Sequence, residues 1–181
     1  AWKYCEKNSL PRLLYISKTD EENSDYNATF NALRERYGNK IAPVIVPIWG
    51  PDKKVSGIID VLNKRAYEMQ KLKRVEIQLP EDKEAVVDEF HDALKEAVAE
   101  TDEALMDRFF EGDDFTYREM ITGLHQGVTD LSLFPVLCGS SISCLGSLML
   151  MDHIIELLPN PVEGNYHKAT TADGKVEEFV V

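Results

Sequence analysis

Cysteine is scarce in this chain of 181 residues: only Cys5, Cys138 and Cys144 occur. A set this sparse, and odd in number, excludes a disulfide scaffold and fits a reducing, cytoplasmic compartment. Long hydrophobic runs are missing too. No stretch reaches about 18 uncharged apolar residues, the length a membrane-spanning helix requires. No basic stretch followed by an apolar one opens the chain, so a secretion signal is not expected. Histidine is limited to four scattered residues, His91, His125, His153 and His167, each read as a packing or surface residue and not as a metal ligand. Cys138 and Cys144 have no neighbouring partner for zinc, and Cys138 reads as a small hydrophobe. Positive charge is short as well: 20 Lys and Arg stand against 32 Asp and Glu, a net charge of -12. Finally, no Gly-x-x-x-x-Gly-Lys-Ser/Thr loop occurs, so nothing in the sequence would cradle phosphates.

What is present suits a folded protein. Hydrophobic residues make up 44% and charged residues 29%, which excludes disorder. The length fits one domain, or a domain with a sizeable insertion, able to bury roughly 70% of its unfolded surface. The chain begins at Ala1 on residues that read as mid-element, and we expect a fragment. Between Glu81 and Asp114 stand fourteen acids and three bases, so one block carries nearly all the net charge. Such a surface repels phosphate backbones, which argues against direct nucleic-acid binding through it. It suits a basic protein partner, or a solvated helical face.

Along the chain, Ala1 to Asn8 read as the tail of a helix. Leu13, Leu14, Tyr15 and Ile16 form an unbroken apolar run, expected to be a strand buried on both faces of a parallel sheet. Tyr26, Phe30, Leu33 and Tyr37 follow at helical spacing, and Gly38 stands in the stop position. Val44 to Ile48, Val55 to Leu62 and Arg65 to Val75 read as three strands of a small antiparallel sheet, with Gly50-Pro51-Asp52 as a turn. Val87, Phe90, Leu94 and Val98 make an apolar helical stripe, Leu105 to Phe110 a second helix, and Thr116 with Glu119 a capping box opening a third. Buried-strand character returns at Phe134 to Cys138, and Leu145 to Leu158 reads as an amphipathic helix with Met149 and Met151 in or near the core. The chain thus divides into an α/β segment (1–40), an inserted α+β subdomain of small antiparallel sheet and acidic helices (41–131), a second α/β segment (132–159) and a linker (160–181). Val176 to Val181 reads as a strand with no evident partner.

Ser17-Lys18-Thr19-Asp20 follows the first strand, where ligands of open α/β sheets bind. One carboxylate there can accept from the N1–H and exocyclic amino group of guanine. Adenine would leave that carboxylate unpaired in a dry site, a penalty of about 1–3 kcal/mol. The Lys18 stem can lie over the base. The pattern Ser/Thr/Asn-Lys-x-Asp arises by chance in about one chain in ten of this length, and polar turn residues after a strand are the plain alternative. Asn39-Lys40 and Asn63-Lys64 lack the aspartate, so only the first match has the right context. After the next core strand, Gly139-Ser140-Ser141 could bring backbone N–H groups to the guanine carbonyl.

These residues, with Trp2 to Asp20, Pro43 to Tyr67, Pro135 to Ser141 and Ile154 to Pro161, together resemble bacterial translation elongation factor G across nearly the whole chain. The resemblance implies the C-terminal half of a P-loop GTPase domain with the family's inserted subdomain. It implies guanine-nucleotide contacts at Ser17, Lys18, Asp20, Ser140 and Ser141, with GTP or GDP and magnesium in the intact protein. It also implies the ribosome as partner, including the ribosomal stalk protein, which the insertion would face. The family usually carries asparagine at position 17 and alanine at 141. The serine at 17 reaches less far as a brace, while the contact implied at 141 is backbone. Without a phosphate loop this chain should not hydrolyse GTP, because phosphoryl transfer depends on positioning and charge stabilisation at groups it lacks. A small-molecule enzyme would require a complete site within these residues, and the sequence offers none.

Overall fold

The computed structural model describes residues 1–50, 54–163 and 167–179. A short helix α1 (Trp2–Lys7) leads to strand β1 (Leu14–Ile16), helix α2 (Tyr26–Tyr37) and strand β2 (Ile41–Pro43). Strand β7 (Phe134–Cys138) enters between them, giving a parallel sheet of order β1-β7-β2. Leu14 pairs with Val136 on one side, and Pro43 pairs with the same residue on the other. β7 is buried at all five positions, as its continuous apolar character requires of a central parallel strand. β1 differs from expectation. It lies at the sheet edge and is only half-buried along its length, because one side has no neighbouring strand among the described residues.

Four strands, β3 (Ile45–Trp49), β4 (Val55–Asp60), β5 (Arg65–Gln70) and β6 (Lys73–Ile77), form an antiparallel sheet in chain order. Ile41–Pro43, grouped by sequence with the insertion, belongs instead to the parallel sheet. Val44 joins the two sheets: its N–H donates to the Val136 carbonyl at 2.9 Å, and its own carbonyl accepts from Val61 N at 3.0 Å. The run Arg65 to Val75, expected as one strand, is a hairpin. Lys71 and Leu72 take φ of 48° and 62°, the left-handed pair of a two-residue turn. Of the expected turn at Gly50, Pro51 and Asp52 lie outside the described residues.

Helix α3 (Glu81–Ala99) buries Val87, Leu94 and Val98 and half-buries Phe90, as the spacing predicts. Helix α4 (Glu103–Glu111) is capped by Asp102, which accepts from Ala104 N and Leu105 N, and closed by Gly112 at φ 83°. Helix α5 (Tyr117–Thr129) opens with the expected capping box of Thr116 and Glu119. Arg108 also pairs with Glu119, and this pair, with the Thr116 bonds behind it, holds the carboxyl down at about 2. α3 packs on β2 and α5 on β7, so the acidic helices and the parallel sheet share one hydrophobic core. Leu94 is fully buried there. Leu94→Ala should cost about 3 kcal/mol in urea denaturation; a loss below about 1 kcal/mol would place this stripe outside the core.

Helix α6 (Ser147–Leu157) follows β7 and buries Met149, but Met151 is 53% exposed and faces away from the core. The expected lone C-terminal strand has a partner. Strands β8 (His167–Thr170) and β9 (Val176–Phe179) pair antiparallel through the Asp173-Gly174 turn. Val180, Val181 and Gly164 of the expected linker lie outside the described residues. No helix among the described residues is long and apolar enough to cross a membrane.

Candidate functional site

The carboxyl ends of β1 and β7 are in register, Ile16 opposite Cys138, so the loops leaving them start side by side. Two backbone bonds hold them there. Gly139 N donates to the Ile16 carbonyl at 3.1 Å, and Thr19 N to the Gly139 carbonyl at 3.4 Å. Ser17-Lys18-Thr19-Asp20 and Gly139-Ser140-Ser141 are thus neighbours on one sheet rim, where an open α/β sheet places its ligands.

Within the first loop Ser17 is exposed and Lys18 adopts φ 62°, an uncommon conformation for a side chain of this size. The Lys18 side chain is 72% exposed and its Nζ pairs with Glu21 Oε1 at 2.9 Å. The hydrogen bond to Glu21 raises the ammonium's pKa. Asp20 is half-buried, and its carboxylate makes no hydrogen bond or ion pair among the described residues. It is an open acceptor. Sequence reasoning missed Thr19. It is 2% exposed, its N–H reaches Gly139, its carbonyl accepts from Ser24 Oγ at 2.8 Å, and its hydroxyl has no partner. No signal in the sequence marks it beyond its place between Lys18 and Asp20.

The second loop is closed on itself. Ser140 is buried, and its N–H donates to the Leu145 carbonyl at 2.9 Å. Its Oγ accepts from Ile142 N at 3.2 Å and Ser143 N at 3.3 Å. The expectation that Ser140 offers a free backbone donor is therefore corrected: this residue braces the loop. Ser141 is exposed, and its N–H has no partner among the described residues. Gly139 and Gly146 meet back to back. A Cβ at Gly139 would lie 2.2 Å from the Leu145 carbonyl oxygen and 2.3 Å from the Tyr15 hydroxyl, so only glycine fits. Gly146, at φ 79°, is bound likewise by the Cys138 carbonyl.

A hollow of about 240 Å³ adjoins the first loop, lined by Ile16, Ser17, Lys18, Ser24, Tyr26 and Thr29 among others. Asp20, Ser140 and Ser141 do not line it. The two adjacent loops thus carry one unpaired carboxylate, Asp20, and one unpaired amide, that of Ser141. Burial raises the Cys138 thiol's pKa, which leaves it inert at neutral pH. His91 packs with Nδ1 2.9 Å from the Val61 carbonyl. Among the described residues no group of three or more His, Cys, Asp or Glu is arranged to hold a metal ion.

No protein-family profile matches the chain. Its structure is similar to the crystal structure of a protein from Thermus thermophilus, with a TM-score of 0.81 and 31% sequence identity over 91% of this chain. The chain spans 25% of that protein's length. The architecture they share is α/β: a parallel sheet flanked by helices, with an added antiparallel sheet.

Proposed function

We propose that this chain is the guanine-recognition part of an elongation factor G-like GTPase that promotes GTP-dependent translocation on the ribosome. The parent protein would be cytoplasmic, with magnesium accompanying the nucleotide there. The observation that carries this reading is the hydrogen bond between Thr19 N and the Gly139 carbonyl. It sets the Asp20 loop beside the Ser140–Ser141 loop at the carboxyl end of adjacent parallel strands. In this arrangement Asp20 accepts from the base, Ser141 N–H donates to its carbonyl, Lys18 covers it, Ser140 braces the second loop, and Ser17 lies exposed beside them. The chain by itself binds the base weakly and does not hydrolyse GTP, because the phosphate contacts lie outside it. At millimolar concentration GDP should shift the amide NMR signals of residues 17–20 and 139–146, and ADP should not. Asp20→Ala should erase that discrimination. Equal shifts with GDP and ADP, or none with either, would sink the reading.

A second reading is favoured by the charge on α3, whose first turn carries Glu81, Asp82 and Glu84, with Asp88 exposed one turn on. This face would dock the basic surface of the ribosomal stalk protein, making the inserted subdomain a protein-interaction module. Reversing Glu81, Glu84 and Asp88 to lysine should weaken stalk-protein binding at least tenfold and flatten its salt dependence. Unchanged affinity would remove this reading without touching the first.

A further inference from the structure

A polar cavity of about 280 Å³ lies away from the sheet rim, where the antiparallel sheet meets the first turn of α5 and helix α6. Its walls carry Asp60, Asn63, Tyr67 and Arg74 from the sheet side, Tyr117 from α5, and Met149, Asp152, His153, Ile155 and Glu156 from α6. Several donors in these walls already face acceptors. Leu62 N and Asn63 Nδ2 donate to the two Asp60 oxygens at 3.0 and 2.9 Å. Arg74 donates to Asp152 Oδ2 at 2.8 Å while its guanidinium lies over the Tyr67 ring. Tyr117 OH donates to Glu156 Oε2 at 3.3 Å.

What remains is an excess of acceptors. Three carboxylates face one guanidinium. His153, whose side chain is 3% exposed, has no hydrogen-bond partner for Nδ1, which lies 3.4 Å from Glu156 Oε2. Burial lowers the imidazole's pKa to about 4, so the ring is neutral at pH 7 and repays none of the negative charge. With the ring proton on Nε2, Nδ1 is a buried acceptor beside a carboxylate, and such a pair calls for a donor-rich guest. These side chains are not grouped to chelate a metal ion. Met149 and Ile155 supply apolar surface for a short alkyl chain. We propose that this cavity binds a small organic cation through a primary ammonium group, held by His153 Nδ1 and the carboxylates of Asp60 and Glu156.

The probe is 1,4-diaminobutane, titrated at pH 7 and physiological salt with the His153 ring observed by NMR. The ring signals should move saturably. Tetramethylammonium, which carries charge but no N–H, should leave them in place. Glu156→Gln and Asp60→Asn should each weaken binding at least tenfold, while a Glu89→Gln, Glu96→Gln variant on the acidic helix should bind as the unmodified protein does. Equal effects of the two cations, an unmoved His153, or a loss of binding only in the acidic-helix variant would overturn the proposal. The comparison of the two cations uses the unmodified protein, so it stands even where a variant folds poorly.

Discussion

Gly139→Ala is expected to cost about 3 kcal/mol of stability, at the upper end of overpacking penalties. For a chain of this size that is a fall in Tm of about 6–12 °C in a thermal scan. The new methyl group would stand 2.2 Å from the Leu145 carbonyl oxygen and 2.3 Å from the Tyr15 hydroxyl. The Tyr15 side chain can turn aside, but the carbonyl belongs to backbone held by the Ser140 N–H. Adding Tyr15→Phe should therefore rescue little of the loss. Gly38→Ala is the control. Its backbone has φ 75° and ψ −161°, an extended positive-φ conformation, but nothing lies within 4 Å of the added atom, so the whole cost, about 1–3 kcal/mol, should be conformational strain that no side-chain change nearby relieves. A Gly139→Ala protein as stable as the unmodified one would mean that the 139–146 loop is not closed as described. Because the Thr19 bond ends on the Gly139 carbonyl, the same substitution should also weaken any nucleotide response of the 17–20 loop.

The second large effect concerns pH. Burial raises the Asp60 pKa from 3.8 to about 6, against the opposing hydrogen bonds from Leu62 and Asn63. The folded protein then holds a proton that the unfolded chain releases. This contribution is full below about 4 and is lost as pH rises to about 6. Burial lowers His153 from 6.5 to about 4, so its contribution is present above 6.5 and is lost as pH falls through 4. The two contributions oppose each other in one window, and each is on the order of 3 kcal/mol. Arg74 from the sheet, Asp152 and Glu156 from α6 and the neutral Tyr117 from α5 face the same cavity; after burial, Glu156 and Arg74 act on Asp60, and Asp152 and Arg74 on His153. Urea midpoints measured from pH 4 to 7 should rise more steeply with pH in Asp60→Asn than in the unmodified protein. In His153→Gln they should fall with pH relative to it. Parallel curves for all three proteins would refute the opposition.

Elements with strong local chemistry were legible. The Tyr26, Phe30, Leu33, Tyr37 spacing ending at Gly38 marks α2, and Thr116 with Glu119 marks the start of α5, because both signals act within a few residues. The β5–β6 turn was not legible, since Lys71-Leu72 carries no Gly, Asn or Pro and adopts its left-handed pair only because the flanking strands pair. The half-burial of β1 was equally hidden. Its apolar run matches that of a central strand, and only the sheet order reveals an edge. At the candidate site, the juxtaposition of the two loops followed from reading each as the end of a parallel strand. The commitment of the Ser140 amide did not, because it depends on Leu145 closing back over a glycine pair. The cavity around His153 is assembled from residues distant in sequence, and no local pattern announces it.

Val44 has a mechanical consequence. One peptide unit on each side of this residue is clamped to a different sheet, with no flexible joint between them. Loosening this one residue would therefore be felt on both sides, at the central strand that leads into the 139–146 loop and at the end of β4.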